Sequence, residues 1–136
     1  MIMEEAVRLL AEDGNTCVIF CGDDVRTSKA RGVKPLLDWL DSGEDFSSFS
    51  SADKVIGNGA AFLYYLLGIK TVHTHVISEP ALETMKRGGI DISYDELVPA
   101  IKDRSGKGFC PIEACVKGIT DPQEALQAIR IRLSQF

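Results

Sequence analysis

The spacing of apolar and polar residues along the chain predicts alternating helices and strands. Apolar residues recur at helical spacing over residues 2–13, and an apolar, β-branched run at 16–21 is followed by a turn and a second strand at 25–28. The pattern then predicts a short amphipathic helix at 34–40 and a polar surface loop at 42–53. The sheet is therefore expected to open with an antiparallel hairpin.

The middle of the chain is its most apolar part. A short strand at 54–56 leads through Gly57-Asn58-Gly59 into a helix at 60–67 that is apolar nearly all round. Such a helix is expected at the centre of a domain, covered on most sides. The glycines allow the backbone at its N-terminus to approach other groups closely.

The second half of the chain repeats a strand-helix-strand rhythm, which is typical of a parallel sheet with crossover helices. The predicted elements are a strand at 70–78, a helix at 80–87, a strand at 90–94, a helix capped by Asp95 and running to 101, a short helix at 111–117 and a last helix after Asp121-Pro122. The sequence thus predicts an α/β protein, a three-layer α/β/α sandwich with a mixed sheet of about five strands.

Composition fits one domain over residues 1–136, with 45% hydrophobic residues. Twenty acidic against 15 basic residues give a net charge of −5, which argues against a binder of duplex nucleic acid. The chain shows neither a secretory signal nor a stretch long enough to cross a bilayer, so a cytoplasmic location without a membrane partner is expected. The four cysteines are accordingly expected to be thiols.

Four segments carry a resemblance to a known family, at residues 28–36, 53–61, 77–83 and 108–113. Together with the element order, they resemble an uncharacterised prokaryotic family that has the cytidine-deaminase-like fold. Zinc deaminases carry a His or Cys and then a Glu at the start of the central helix, and Pro-Cys-x-x-Cys at the next crossover helix. Here those places read Gly-Asn-Gly-Ala-Ala at 57–61 and Glu-Pro-Ala-Leu at 79–82. The resemblance therefore implies a fold without zinc and without a cofactor, in which zinc-dependent deamination is not expected.

The leading hypothesis is a module that binds a small, nucleotide-like molecule in the pocket of that fold. Backbone N–H groups of Gly57, Asn58 and Gly59 at the start of the central helix suit an anion or a carbonyl oxygen. The resemblance favours Lys where Asn58 stands, which weakens an anionic reading of that position. Glu79 begins the neighbouring helix, where a carboxylate caps the helix or acts as a base.

Arg31 and Lys34 are the candidate anion partners of this pocket, and solvation at the surface is the alternative for each. The runner-up function is an enzyme in which Cys110 acts as a nucleophile or redox thiol. Cys110 precedes Pro111 at a predicted helix start, and cations at Arg104 and Lys107 would favour its thiolate. The alternative for Cys110 is a half-buried capping thiol, because Glu113 opposes thiolate formation.

Two further candidates are a pair of histidines and a set of aromatic residues. His73 and His75 alternate on one strand and point to the same face, where a metal would need a third ligand such as Cys17 or Cys21. No metal site is predicted on that basis. The third functional reading is a structural or homo-oligomeric interaction protein without a ligand, because surface aromatic residues anchor interfaces. The aromatic residues that suggest it are Tyr64, Tyr65, Phe46 and Phe49.

Overall fold

The computed structural model of the protein describes residues 1–103, 105–106 and 108–135. Helices and strands alternate along this part of the chain. In order they are α1 (Met3–Leu10), β1 (Cys17–Cys21), β2 (Asp24–Ser28), α2 (Lys34–Asp41), β3 (Ser50–Ile56), α3 (Asn58–Leu67), β4 (Thr71–Ser78), α4 (Glu79–Arg87), β5 (Asp91–Val98), α5 (Pro111–Cys115) and α6 (Pro122–Leu133).

The strands form one mixed sheet in the order β2-β1-β3-β4-β5. β1 is antiparallel to both β2 and β3, whereas β3, β4 and β5 run parallel to one another. The predicted opening hairpin is confirmed, and so are the parallel crossovers through α3 and α4. The carboxyl ends of the parallel strands therefore lie at one edge of the sheet, together with the N-termini of α3 and α4.

The helices cover the sheet unequally. α1 packs against β1 and β3 on one face, where Ala6 and Leu10 contact Val18, Phe20 and Ala52. On the other face α3 is the central helix, and α2, α4, α5 and α6 pack around it. This arrangement confirms an α/β protein with a five-strand mixed sheet between helical layers.

α3 is buried because nearly all of its side chains are apolar. Eight of its ten residues are buried, so it contacts neighbours on all sides, as a helix without a polar face must. Gly57 is its N-cap, and Gly68 ends it in the left-handed conformation with φ 77°. The segment 57–59, predicted as a turn before the helix, is thus the N-cap and first turn of α3.

The prediction of a helix from Asp95 to residue 101 is wrong. β5 continues to Val98, because residues 93–98 pair in register with β4: His73 lies opposite Ser93 and Val76 opposite Glu96. The local signal was an Asp followed by apolar residues, which is typical of a helix cap. Pairing with a neighbouring strand outweighs that local preference.

The predicted loop at 42–53 is also too long, since β3 begins at Ser50. Ser51 and Asp53 are buried in the sheet although both are polar. Buried polar groups are tolerated where they are hydrogen bonded, and a tyrosine of α3 supplies that partner.

The aromatic residues that suggested an interface are mostly in the core. Tyr64, Phe46 and Phe49 are 0%, 1% and 7% exposed, and Tyr65 alone of the four is exposed. Phe46 and Phe49 are covered by the guanidinium of Arg26, which lies 5.3 Å from each ring centroid. Three of the four residues that suggested an interaction surface are therefore unavailable for one, and the homo-oligomer stays a prediction.

Two further expectations concern disulfides and membrane-spanning helices. Cys17, Cys21, Cys110 and Cys115 are all free thiols, as expected. Among the described residues, none of the helices combines the length and the apolar character that crossing a membrane requires.

Candidate functional site

A cavity of about 300 Å³ lies beside the carboxyl end of β3 and the N-terminus of α3. Open α/β sheets commonly bind ligands at this edge. Most of the residues that line the cavity are apolar, and a few are polar or charged. The lining residues are Thr16, Cys17, Arg31, Gly32, Val33, Pro35, Leu36, Asp53, Lys54, Val55, Gly57, Gly59, Ala60, Ile101, Cys110, Ile112 and Glu113.

A buried network of polar side chains joins the cavity wall to α3. The Tyr64 hydroxyl donates to Oδ2 of Asp53 at 2.7 Å and lies 2.8 Å from the Ser51 hydroxyl. The Cys17 sulfur lies 3.5 Å from the same phenol oxygen and 3.6 Å from Ser51. Asp53 and Cys17 both line the cavity, so the network connects the core to the cavity wall.

Burial changes the protonation of this network. It raises the pKa of Asp53 to about 6, and hydrogen bonds from Tyr64 and nearby backbone amides offset only part of that rise. Burial also raises the pKa of the Cys17 thiol and of the Tyr64 phenol, and the charge of Asp53 adds to both rises. At neutral pH Cys17 and Tyr64 therefore keep their protons, whereas Asp53 titrates just below neutrality.

Glu113 of α5 holds three other parts of the chain together. Its Oε2 accepts hydrogen bonds from the Asn58 backbone N–H at 2.8 Å and from the Ser78 hydroxyl at 2.5 Å. Its Oε1 accepts from the backbone N–H of Ile101 at 2.7 Å. One carboxylate thus caps α3, contacts the N-cap of α4 and fixes the segment that follows β5.

Four of the residues predicted for the site line the cavity. They are Gly57, Gly59, Arg31 and Cys110. Gly59 packs closely against α5, because a Cβ there would lie 2.6 Å from Cγ2 of Ile112. The close approach of the backbone that the glycines suggested is therefore used, at this position, to pack α5 onto α3.

Three predicted site residues lie outside the cavity lining. The side-chain oxygen of Asn58 accepts from the Thr84 hydroxyl at 2.6 Å, so Asn58 joins α3 to α4. Glu79 is exposed at the start of α4, and its neighbour Ser78 provides the side-chain cap. Lys34 is exposed and pairs with Asp38 one helical turn away, at 3.2 Å.

Cys110 is the N-cap of the five-residue helix α5, as predicted, and is partly buried. The cations proposed to assist it, Arg104 and Lys107, lie outside the described residues. Cys115, further along α5, is also partly buried and contacts the carbonyl of Ile112 through its thiol. Cys110 therefore lines the cavity, and its assistance by Arg104 and Lys107 stays a prediction.

His73 and His75 share a sheet face, as predicted, and both approach Asp95 of β5. His75 Nδ1 lies 3.1 Å and His73 Nε2 lies 3.5 Å from its carboxylate oxygens. Cys17 packs in the core on the other face of the sheet, so it is wrong as their third ligand. Among the described residues, no group of three or more His, Cys, Asp or Glu side chains is arranged to hold a metal ion.

The sequence reading missed Asp53, Tyr64 and Glu113 as site residues. Tyr64 carried a usable signal, because a phenol on a helix that is apolar all round needs a buried hydrogen-bond partner. Asp53 follows two residues after Ser51 and therefore shares its strand face. Glu113 gave no such signal, since its partners are far away along the chain.

Comparison with known proteins places this architecture in a family. The family model for TM1506, a domain of unknown function (DUF1893), matches residues 5–133. The crystal structure of a DUF1893 family protein (TM1506) from Thermotoga maritima is similar, with a TM-score of 0.86 and 30% sequence identity over 98% of this chain and 89% of that one. No curated protein matches the chain. Both the sequence and the fold thus agree that this protein belongs to the DUF1893 family.

Proposed function

We propose that the protein binds a small organic molecule in this cavity, and that an anionic group of this ligand is held at the solvent-exposed side of the cavity. A volume of about 300 Å³ is at the lower end for small-molecule sites, and such sites combine an apolar wall with a few placed polar groups. The observation that carries the proposal is that two exposed cations, Arg31 and Lys54, line the same cavity as the buried carboxyl of Asp53. A nucleotide-like ligand has both an apolar ring and an anion.

The residues assigned to binding differ in part from those that the sequence suggested. Arg31 remains an anion partner and the backbone at Gly57 and Gly59 remains part of the wall. Lys54 takes the place of Lys34, because Lys54 lines the cavity and Lys34 pairs with Asp38. Asn58 and Glu79 are left out of direct contact with the ligand.

The proposal includes the resemblance to the cytidine-deaminase-like fold, but no zinc chemistry. At the start of α3, where a zinc deaminase has ligands and a general acid-base, this chain has Gly57, Asn58 and Gly59. The nearest carboxylate, Glu113, already accepts three hydrogen bonds from the chain. These residues do not fit a zinc site, so no reaction step is assigned to a metal.

Titration with the four ribonucleoside monophosphates, followed by NMR of the protein, tests the proposal. Binding is expected to shift signals of the cavity residues and to weaken about tenfold or more in Arg31→Ala and Lys54→Ala, because each loses a charged hydrogen bond. Lys34→Ala is the matched control, an exposed lysine outside the cavity, and should bind as the wild type. Equal binding by all variants, or no binding by the wild type, would reject this assignment.

A second candidate function is thiol chemistry at Cys110, because its thiol borders the same cavity. Alkylation by iodoacetamide near pH 6 tests it, with mass spectrometry to locate the adduct. A stabilised thiolate at Cys110 would react much faster than Cys21, which is also partly buried but lies outside the cavity. Comparable rates at the two thiols would remove this candidate.

A further inference from the structure

Arg31 lies between β2 and α2, in a stretch of chain that is neither helix nor strand. β2 ends at Ser28 and α2 begins at Lys34, and Gly32 turns the chain between them with φ 63°. The position of a side chain on such a stretch depends on the bonds that hold its backbone. A cation that is already fixed in the free protein loses less conformational freedom on binding, so it contributes more to affinity. The groups that hold the backbone beside Arg31 therefore affect the proposed anion site.

The hydroxyl of Thr16 holds that backbone. It donates to the carbonyl oxygen of Ala30 at 2.5 Å and lies 3.1 Å from the carbonyl oxygen of Ser28. The backbone N–H of Thr16 also donates to Ser28, at 2.8 Å, and so continues the pairing of β1 with β2. The bond to Ala30 reaches beyond the end of β2. The Thr16 hydroxyl thus fixes the peptide group that joins Ala30 to Arg31.

The second proposed cation, Lys54, is bonded to the same residue. Its backbone N–H donates to the carbonyl oxygen of Thr16 at 3.4 Å, next to the last residue pair of β1 and β3, Cys17 and Asp53. Thr16 is partly buried and lines the cavity, whereas Arg31 and Lys54 are exposed. Thr16 therefore connects the two segments of backbone that carry the proposed anion partners.

We propose that Thr16 is a positioning residue of the anion site, and that it acts through Arg31 by holding the peptide group between Ala30 and Arg31. This inference rests on the proposed binding function, and it assigns the Thr16 hydroxyl no contact with the ligand. A valine at this position has nearly the same shape and keeps both backbone hydrogen bonds, but it leaves the partly exposed Ala30 carbonyl to water. Arg31 would then lose more conformational freedom on binding.

Titration with the four ribonucleoside monophosphates, followed by NMR, tests this role. Thr16→Val is expected to weaken binding about threefold to tenfold, within the range that one hydrogen bond contributes. Thr16→Ser keeps the hydroxyl and should bind within about twofold of the wild type. Thr27→Val is the matched control, because Thr27 is exposed on β2 and lies outside the cavity. This control should bind as the wild type.

A double-mutant cycle with Arg31→Ala distinguishes positioning from a general structural effect. If Thr16 acts through Arg31, Thr16→Val should cause no further loss of affinity in the Arg31→Ala background. Additive losses, an unchanged affinity of Thr16→Val, or a Thr16→Ser variant that binds as weakly as Thr16→Val would each overturn the inference. If Thr16→Val fails to fold, Thr16→Ala takes its place in the cycle, since it removes the hydroxyl without placing a methyl group beside the Ala30 carbonyl.

The failure of this inference and the failure of the proposed function give different results. Nucleotide binding that is weakened by Arg31→Ala but not by Thr16→Val would overturn the role of Thr16 and leave the binding function intact. No binding by the wild type would reject the binding function, and the role of Thr16 with it.

Discussion

Glu113 accepts a hydrogen bond from the backbone N–H of Asn58 at 2.8 Å, across 55 positions of sequence. The first turn of a helix attracts anions because its N–H groups are unpaired within the helix and its dipole is positive there. At the N-terminus of α3 the protein supplies that anion itself. An anionic ligand that used this N–H would have to displace Glu113, which is why the proposed anion partners are Arg31 and Lys54.

Replacing Glu113 with Ala should destabilise the protein by about 2–4 kcal/mol. The variant leaves the donors of Asn58, Ser78 and Ile101 without their shared acceptor, and hydrogen bonds to a charged group contribute about 1.5–3 kcal/mol each before relaxation. Urea unfolding followed by circular dichroism measures the change. Glu83→Ala is the control, since Glu83 is exposed and forms one long ion pair with Arg87, at 3.7 Å. Equal stability of the two variants would contradict the bridging role of Glu113.

Removing the hydroxyl of Tyr64 should cost about 1–3 kcal/mol. Tyr64→Phe leaves the Asp53 carboxyl and the Ser51 hydroxyl without their common partner in the core. Tyr65→Phe is a matched control on the same helix, because Tyr65 is 41% exposed and an exposed substitution of this kind changes stability by less than about 0.5 kcal/mol. Thermal unfolding of both variants and the wild type gives the comparison, and similar melting temperatures for the two variants would argue against a stabilising network.

The stability of the protein should depend on pH through Asp53. An aspartate in an unfolded chain has a pKa near 3.9, whereas burial raises the pKa of Asp53 to about 6 in the folded protein. Between these values the folded state binds more protons, so its free energy of unfolding falls as pH rises through about 4 to 6. The full penalty, on the order of 3 kcal/mol at about 1.4 kcal/mol per unit, is present above pH 6.

Asp53→Asn removes that titration. The stability of the variant relative to the wild type is therefore expected to rise by about 2–3 kcal/mol between pH 4 and pH 8. Urea unfolding at several pH values measures the difference, with Asp38→Asn as the exposed control. Parallel pH profiles for the wild type and Asp53→Asn would show that Asp53 titrates normally in the folded protein.

The sequence predicted those elements whose own residues determine them. α2 was predicted at 34–40 and runs from Lys34 to Asp41, because Pro35 and a stripe of leucines define it locally. The end of β5 and the start of β3 were not predicted from the sequence. The end of β5 depends on its pairing with β4. At the start of β3, the Tyr64 hydroxyl provides the hydrogen-bond partner that allows Ser51 and Asp53 to be buried.

The same distinction applies to the cavity. Gly57, Gly59, Arg31 and Cys110 were predicted for the site from local signals, namely a glycine-rich helix start, a basic loop and a helix cap, and all four line it. Glu113 and Asp53 were not, because their roles depend on contacts between elements. A local pattern shows which residues are available, whereas their juxtaposition depends on the packing of α5 and α3.

Gly59→Ala should destabilise the protein although alanine normally favours a helix over glycine by about 0.5–1 kcal/mol. The added Cβ would lie 2.6 Å from Cγ2 of Ile112, so α5 would have to move away from α3. Overpacking of this kind costs about 1–3 kcal/mol. Removing the opposing side chain in Ile112→Ala provides the space, and in that background Gly59→Ala should be neutral or stabilising. Urea unfolding of the two single variants and the double variant measures the coupling. Additive effects would mean that Gly59 is not required for the close packing of α5 on α3, which forms one wall of the cavity.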